Sequence, residues 1–497
     1  MAASFDAEFD VVIVGAGAGG CASAMALVQA GLQVALVEKG HELPLDDSTL
    51  DIGTVVQQGR FKSHELWLDR HARLFAPEEY FNVGGKTKWY GAALLRYGPA
   101  EFLADVQHQC RGWPIGHEEL APYYEMASRH LDVKFFDCEP DLAAIVAKLT
   151  RRSTEWRTEP MPLGLAADIA KDRREAAHFD GFASVAGLKS DAETAFLAPV
   201  RHAPNLTLLE GEEVIDLLPH PERVAEIIGV RLASGREILA RSVLLAAGAL
   251  HSPRLLQRYV ERHGLQESIA GASHVGANLK LHLLTAMIAL SPSVKTDLIR
   301  KTRLFLNDEL PHSSVQPLGF DGELIATLMP AWVPRPIAEF LGVRSYGFFL
   351  QTEDGSHHHN RVIAAASDKG NRAYPIMDYD EVRLRPALRE HRRLVHRFRA
   401  ALRRAGMVAF SRRAGLAGTA HVSGTLIAGN DPRTSVVDAQ GKVHGLHSLY
   451  VVDGSILPRS SRVNPSLTIY AWALRTAASL AQHLAPATRR PATLPAG

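Results

Sequence analysis

The stretch Asp10–Gly20, DVVIVGAGAGG, decides the fold class of this chain of 497 residues. After Asp10 it begins with an apolar run rich in β-branched residues, which is typical of a buried parallel strand. A glycine-rich turn follows, and the small residues of CASAMALVQAG, from Cys21, predict a helix that ends near Gly31. The next segment, LQVALVEKG, reads as a second strand that closes on Glu38. Together they predict a β–α–β unit of about thirty residues.

Three glycines in the turn, Gly15, Gly17 and Gly20, match the G-x-G-x-x-G fingerprint between a strand and a helix. The first allows the tight turn, the second lets a pyrophosphate approach the backbone, and the third lets the helix pack closely on the strand. The helix N-terminus then offers N–H groups to the phosphates. Glu38 lies at a strand end, where a carboxylate can accept from a ribose hydroxyl. The segment therefore predicts dinucleotide binding, without separating NAD from FAD.

Composition and charge narrow the class of protein. The chain is too long for one ordinary core, so two or more domains, or one large interleaved domain, are expected. A formal net charge of +1 gives no global field toward nucleic acid or an anionic membrane. Three cysteines show no metal or disulfide spacing, and neither a signal peptide nor a membrane-spanning apolar run is recognisable. We expect a cytoplasmic protein without membrane insertion.

Further elements follow from local pattern. Strands are predicted at Leu206–Leu209, Ala225–Leu232, Val243–Ala247, Gly347–Thr352 and Arg361–Ala365, and helices at Pro253–Arg262 and Arg385–Ala405. The second helix is rich in arginine, but those charges lie opposite an apolar stripe, which favours a solvated face over nucleic-acid binding. The region 311–344 is proline-rich and shows no clear helical period.

Four later segments carry a resemblance to a known family. They are VGGKTKWYGAALLRYG from Val83, SVLLAAGALHSPRLLQ from Ser242, VGANLKLH from Val275, and HGLHSLYVVDGSILPRSSRVNPSLTIYAWALRTA from His444. In this order they resemble the flavin-facing G-G-S-S-x-x-N-G segment, the A-A-G-A/S-P-x-L-L signature, V-G-x-N-L-x-x-H, and the C-terminal block of the glucose–methanol–choline (GMC) family. Members of that family are FAD-dependent alcohol oxidoreductases. The matches extend from residue 10 to about 480.

The resemblance implies an α/β fold, with a Rossmann-like FAD-binding domain of GMC type and an interleaved α+β substrate-binding domain. We expect the FAD-binding domain at 8–130 and 200–285, the substrate domain at 131–199 and 286–415, and the FAD-binding and active-site C-terminal block at 416–485. The proline-rich residues 486–497 are expected to form a disordered tail.

The resemblance also implies an active site. His421 lies where the family has H-x-x-G-T, and Asn464 lies where the family has a second active-site residue, either histidine or asparagine. Hydride would pass from the carbinol carbon to flavin N5. An unshifted imidazole titrates near pH 6.5, so His421 can accept the hydroxyl proton around neutrality. Asn464 can orient the substrate oxygen but cannot take the proton.

The cofactor contacts implied by the resemblance are spread along the chain. Gly84 and Gly85 contribute their backbone, Val214 meets the adenine, and Ala247 also contacts FAD. Asp453 and Gly454 lie by the pyrophosphate and ribityl chain, and Pro465 lies with Asn464 by the isoalloxazine. Trp89 occupies the position at which some members carry a histidine bound covalently to FAD, which predicts non-covalent FAD.

Two groups of histidines receive a structural interpretation. Three adjacent histidines in SHHHN (356–360) resemble a metal cluster, but consecutive side chains on an extended chain point to opposite faces. We therefore predict a turn there and no metal site. His282, the last residue of VGANLKLH, is predicted to be structural.

The predicted function is FAD-dependent oxidation of a secondary hydroxyl of a sugar or glycoside, with oxygen, a quinone or a carrier protein as electron acceptor. Oxidation of a sterol or another hydrophobic alcohol is the alternative among substrates. A pyridine-nucleotide-dependent flavoenzyme is disfavoured, because no second G-x-G-x-x-G and no C-x-x-x-x-C pair occur. A catalytically silent FAD-binding protein is the alternative outside enzymes. The oligomeric state stays open.

Overall fold

The structure is a computed structural model that describes residues 8–151, 155–365 and 374–484. Its strands are β1 (Phe9–Val14), β2 (Val34–Glu38), β3 (Trp67–Asp69), β4 (Leu74–Phe75), β5 (Lys134–Phe135), β6 (Trp156–Pro160), β7 (Pro162–Leu163), β8 (Leu206–Glu210), β9 (Val214–His220), β10 (Arg223–Leu232), β11 (Glu237–Leu245), β12 (Leu283–Leu290), β13 (Arg303–Asn307), β14 (Ser313–Pro317), β15 (Ser345–Thr352), β16 (Arg361–Ile363), β17 (Ile376–Asp378), β18 (Val408–Arg413) and β19 (Leu449–Val451). Its α-helices are α1 (Ala18–Gln29), α2 (His117–His130), α3 (Pro140–Arg151), α4 (Arg173–His178), α5 (Ser252–Arg262), α6 (Gly322–Thr327), α7 (Arg335–Gly342), α8 (Arg385–Arg404) and α9 (Ser466–Leu484).

A seven-stranded sheet forms the first layer. Its order is β8-β2-β1-β11-β10-β9, and β19 also pairs with β11. Strands β8, β2, β1, β11 and β19 run parallel, with Val12 opposite both Ala35 and Val243. The first part of β11 instead pairs antiparallel with β10. Strand β2 is buried throughout and β1 is buried from Val11 to Val14, which matches the expectation for parallel strands covered on both faces.

A six-stranded antiparallel sheet forms the second layer, in the order β18-β12-β15-β14-β13-β6. Helix α8 packs against it. Leu394 and Phe398 from α8 share a buried cluster with Met287 of β12 and Phe348 of β15. The arginines of α8 lie on the other side of the helix, so the apolar stripe read from the sequence faces this sheet.

Both predicted helices and four of the five predicted strands are confirmed within one or two residues at each end. The fifth, predicted at Val243–Ala247, is the second part of β11, which begins six residues earlier at Glu237. The prediction for 311–344 was incomplete, because β14, α6 and α7 all lie there. Helices α6 and α7 have 6 and 8 residues, which is too short for a 3.6-residue period to emerge among prolines. Residues 486–497, the expected disordered tail, lie outside the described residues.

Among the described residues, no helix combines the length and the apolarity needed to cross a membrane.

Candidate active site

A cavity of about 630 Å³ opens at the carboxyl ends of the parallel strands. Val14 and Glu38, which end β1 and β2, line it together with Ala246 after β11 and Gly454 after β19. Open α/β sheets bind ligands at this edge, because the loops that leave neighbouring strands diverge there. The position therefore supports the cavity as the ligand site.

The glycine turn fits a phosphate-bearing cofactor. A Cβ added to Gly15 would lie 2.6 Å from the Ala246 oxygen, and one added to Gly20 would lie 1.8 Å from the Gly15 oxygen. Gly17 lines the cavity, and a Cβ there would have nothing within 4 Å. Two of the glycines thus let protein backbone pack closely, and the third leaves space on the ligand side.

The N-termini of two helices reach the same cavity. Ala18 at the start of α1 and Ser466 at the start of α9 both line it. The first N–H groups of a helix lack partners within the helix and carry its positive dipole end. Such an end stabilises negative charge, so the start of α1 suits a pyrophosphate and the start of α9 suits a reduced flavin ring.

Most residues expected to contact FAD come together here, although they lie far apart in sequence. Those that line the cavity are Gly15, Gly17, Glu38, Gly85, Val214, Ala247, Asp453, Gly454, Asn464 and Pro465. Gly20 and Gly84 do not line it. Gly20 lies against the Gly15 carbonyl, and the Gly84 N–H donates to the Ala16 carbonyl oxygen at 2.8 Å. Both of these glycines contact the backbone of the glycine turn and do not border the cavity.

Glu38 has a second task besides any ribose contact. One carboxylate oxygen accepts from the Ala16 N–H at 2.8 Å and the other from the Gly40 N–H at 2.9 Å. Burial raises the pKa of Glu38, and these two N–H donors partly offset that rise. The side chain therefore fixes the glycine turn while it borders the cavity.

Asp453 occupies a similar position after β19. Its carboxylate accepts from the Gly248 N–H at 2.9 Å, from the Ser455 N–H at 2.8 Å and from the Ser252 hydroxyl. Burial is the largest influence and raises the pKa of Asp453. These bonds tie the loop after β11 to the loop after β19 along the cavity wall.

His421 and Asn464 meet in the cavity although 43 residues separate them in sequence. The distance from Asn464 Nδ2 to His421 Nε2 is 3.2 Å, and Gln316 Nε2 donates to Asn464 Oδ1. The loop that carries His421 is held on both sides: Ser423 and Lys280 exchange backbone hydrogen bonds of 2.9 and 3.0 Å, and the Gly424 N–H donates to the Gly454 oxygen.

The expectation of an unshifted imidazole at position 421 was wrong. Burial is the main reason why the pKa of His421 lies well below 6.5, and His282, Lys301 and Lys86 lower it further. The lowered pKa favours the neutral imidazole of His421, the form that can accept a proton.

Sequence reasoning missed several residues that share the cavity. Gln316, Lys301 and Asp180 all line it, and Lys301 Nζ lies 2.9 Å from Asp180 Oδ2. The sequence around them matches no family segment, so only the tertiary arrangement identifies them. They give the end of the cavity near His421 a polar wall.

Trp89, for which the sequence resemblance predicts a place beside the flavin, also lines the cavity. Its Nε1 donates to Asn82 Oδ1 at 3.1 Å, and its ring stacks on Tyr80 with centroids 4.8 Å apart. An indole in these contacts is a packing group.

SHHHN contains a turn, at His358 and His359.

Elsewhere in the described chain, two groups have metal-ligand spacing: His108–His312–Glu390 and Cys110–His312–Glu353. The two ring nitrogens of His312 already lie 3.1 Å from Glu353 and 3.1 Å from Asp105, and the Arg459 guanidinium contacts Glu353. This cluster is thus an ion-pair network in which the cations are protein side chains.

Two family descriptions match the chain. "FAD dependent oxidoreductase" covers residues 10–271, and "GMC oxidoreductase" covers residues 355–473. The chain is 31% identical to 6'''-hydroxyparomomycin C oxidase of Streptomyces lividus, over 97% of this chain and 92% of that protein. The chain belongs to the GMC oxidoreductase family.

Other GMC proteins agree in sequence and fold. Paromamine 6'-oxidase of Streptomyces fradiae is 30% identical, over 96% of this chain and 92% of that protein. Among solved structures, pyridoxine 4-oxidase from Mesorbium loti superposes with a TM-score of 0.66 at 21% identity, covering 95% of this chain and 98% of that one. The chain is thus an FAD-dependent oxidoreductase that acts on the CH–OH group of a small-molecule alcohol and passes electrons to an acceptor.

Proposed function

We propose that this GMC oxidoreductase oxidises a hydroxyl of a sugar or glycoside to a carbonyl, with His421 as the base. The observation that carries the proposal is the pairing of His421 Nε2 with Asn464 Nδ2 at 3.2 Å on the cavity wall. A neutral imidazole and an amide side by side can both contact one substrate oxygen. That the oxidised hydroxyl is a secondary one stays a prediction.

The two side chains have different tasks. Bound FAD supplies the hydride acceptor for alcohol oxidation. His421 takes the hydroxyl proton at Nε2, and the low pKa of its imidazole keeps that nitrogen unprotonated. Asn464 donates to the substrate oxygen and, through its bond from Gln316, holds its amide in one orientation. The remaining cofactor-site residues named above would hold FAD in place.

The lining of the cavity supports a polyhydroxylated substrate. Gln316, Lys301 and Asp180 offer donors and acceptors for several hydroxyl groups near His421. The aromatic rings of Phe320 and Phe349 offer apolar faces beside them, against which sugar rings pack. Two relatives at 30–31% identity bear names built on paromamine and hydroxyparomomycin C, which favours an amino-sugar glycoside.

Anaerobic reduction of the bound flavin tests the substrate class. Glycosides with and without amino groups, free sugars, linear polyols and a sterol would each be mixed with enzyme while flavin absorbance is followed. We expect reduction by amino-sugar glycosides, and identification of the product will give the carbon oxidised. Reduction by the sterol alone would support the hydrophobic-alcohol alternative, and no reduction by any alcohol would support a silent FAD-binding protein.

Oxygen is the electron acceptor favoured by the oxidase names of both relatives. Peroxide formation in air at the rate of substrate oxidation would support it. Turnover with a quinone dye but not in air would identify a dehydrogenase instead.

FAD is proposed to be held without a covalent bond, because a tryptophan stands at position 89. Acid precipitation should therefore release all yellow colour as free FAD into the supernatant. One structural relative is described in a study of FAD modification in the formate oxidase of Aspergillus oryzae RIB40 (TM-score 0.66, 16% identity), so mass spectrometry of the released flavin belongs in the test. Colour that stays with the precipitate would contradict the proposal.

A further inference from the structure

His282 lies behind His421, away from the cavity. Its side chain is 4% exposed, and its backbone adopts the left-handed conformation with φ of 62°, which non-glycine residues rarely adopt. The ring planes of the two histidines are nearly perpendicular, and their Nδ1 atoms are 2.9 Å apart. An unfavourable backbone conformation that brings one ring against another calls for a reason beyond filling space.

The hydrogen bonds of His282 fix where its proton lies. Its Nε2 is 3.0 Å from the Ser460 carbonyl oxygen and 2.8 Å from the Ser461 carbonyl oxygen. Carbonyl oxygens only accept, so Nε2 of His282 must carry a hydrogen. In the neutral ring Nδ1 then holds a lone pair, and the contact to His421 requires that His421 Nδ1 be the donor.

The bonds on the cavity side lead to the same assignment. Gln316 donates to Asn464 Oδ1, so the Asn464 Nδ2 amide group faces His421 Nε2 as a donor. Nε2 of His421 must therefore accept, which places its hydrogen on Nδ1. The whole series from Gln316 through Asn464, His421 and His282 to the serine carbonyls runs in one donor direction.

The two serine carbonyls are held firmly in place. The Tyr97 hydroxyl donates to the Ser460 oxygen at 2.9 Å, and the Ser460 hydroxyl donates to Asp354 at 2.8 Å. The Ser461 N–H donates to the fully buried carboxylate of Glu353 at 3.1 Å. The acceptors that set the tautomer of His282 are thus part of a rigid, buried framework.

We propose that His282 is a positioning residue that holds His421 as the Nδ1–H tautomer, so that the basic nitrogen of His421 is Nε2, the one that faces Asn464 and the cavity. The inference deepens the proposed function and rests on His421 as the base. The opposite tautomer would point an N–H at the substrate oxygen and leave the basic nitrogen facing His282, where it cannot reach a substrate. His282 acts only through His421, since it does not line the cavity.

Ring ¹⁵N chemical shifts of the holoenzyme test the tautomer directly. Protein labelled with ring-¹⁵N histidine would be compared with His421→Asn, whose missing signals identify His421. We expect the wild-type His421 shifts to show a protonated Nδ1 and an unprotonated Nε2 at neutral pH. A protonated Nε2 would overturn the proposal, and this measurement needs neither substrate nor a variant of His282.

Two variants of His282 then separate positioning from packing. In His282→Gln the amide oxygen can accept from His421 Nδ1 while the NH₂ group donates to a serine carbonyl, whereas His282→Leu offers neither bond. We expect the glutamine variant to keep the Nδ1–H tautomer of His421 and the leucine variant to lose it. Equal tautomer populations in both variants would contradict the role of His282.

Flavin reduction by substrate gives the second comparison. His282→Leu should slow it by about 10- to 100-fold, by analogy with partners that orient metal-binding histidines, and His282→Gln should recover most of the rate. The pH dependence of the rate should shift in both variants, because each removes His282, which together with Lys301 and Lys86 lowers the pKa of His421. The tautomer and the rate therefore separate the two variants. If no alcohol reduces the flavin of any variant, the proposed function fails, while the tautomer measurement still decides the role of His282.

Discussion

At the scale of single residues, His421 shows what sequence can predict and what it cannot. A histidine three residues before Gly424–Thr425 could be recognised as a candidate base from its place between matched family segments. Its lowered pKa and its proposed tautomer depend on burial and on His282, whose ring in turn contacts the Ser461 carbonyl. Neither property is visible in a linear sequence, because each arises only when separate segments meet.

Glu38 carries a prediction at this scale. We expect Glu38→Gln to bind FAD more weakly by about ten- to a hundredfold, because hydrogen bonds to charged groups contribute about 1.5–3 kcal/mol. The neutral amide can still accept one backbone N–H, so the fold should persist, as judged by circular dichroism. Flavin retention after gel filtration measures the effect, with Glu237→Gln on the exposed start of β11 as the matched control. Retention equal to that of the control would remove Glu38 from the cofactor site.

At the scale of elements, the predictable parts were those with a strong period or a strong motif. The buried runs of β1 and β2, the glycine turn and the apolar stripe of α8 all have local signals that tertiary packing reinforces. Helices α6 and α7 have only about two turns each, so their formation depends on packing that no local pattern records.

The turn before α1 gives the prediction at this scale. Gly20→Ala should lower the free energy of unfolding by about 1–3 kcal/mol or more, since its Cβ would overlap the Gly15 carbonyl oxygen. Gly17→Ala should unfold like the wild-type apoprotein but lose FAD, because its methyl group would enter the cavity. Urea titration and flavin fluorescence separate the two effects. A Gly17→Ala protein that binds FAD normally would refute this account of the turn.

At the scale of the whole molecule, the assembly of the two sheets from interleaved segments was anticipated only through the family resemblance. The order of the strands follows from long-range pairing, such as β2 with β8 and β11 with β19, and hydrophobic pattern alone does not specify partners. One joint was not anticipated at all: the buried contact of Arg459 with Glu353, which links the segment after β19 to the end of β15. Arg459 binds both Glu353 oxygens and also donates to the carbonyls of Ala100 and Leu103.

This joint should stabilise the folded chain. Arg459→Met would leave the buried Glu353 carboxylate with His312 but without its guanidinium partner, so it should lower the free energy of unfolding by about 3–5 kcal/mol. Adding Glu353→Gln should recover part of the loss, because no uncompensated charge would remain. Arg335→Met, which removes an exposed pair with Glu339, serves as the control and should leave the urea midpoint unchanged. Equal midpoints for Arg459→Met and the control would contradict the role of the joint.

The sign of the pH effect on this joint is defined by Glu353. Its partners Arg459 and His312 outweigh burial and hold the pKa of the folded-state carboxyl well below its ordinary value. Its contribution to stability is therefore present above the unfolded-state pKa of about 4.3 and is lost as the pH falls further. We expect the difference in unfolding free energy between wild type and Arg459→Met to narrow below about pH 4. A difference that stays constant into acid would show that Glu353 is not the group involved.

The most direct test of the central claim is the rate of anaerobic flavin reduction by the true substrate as a function of pH, in wild type and in His421→Ala. Only neutral imidazole accepts a proton, so the wild-type rate should be flat around neutrality and fall only in acid, at a pH well below 6.5. His421→Ala should keep FAD, react about 10²–10⁴-fold more slowly and lose that acid limb. Asn464→Ala should also react slowly but keep the limb, because an amide does not titrate. A His421→Ala protein that reduces its flavin at the wild-type rate with the same pH profile would place the base elsewhere and contradict the account.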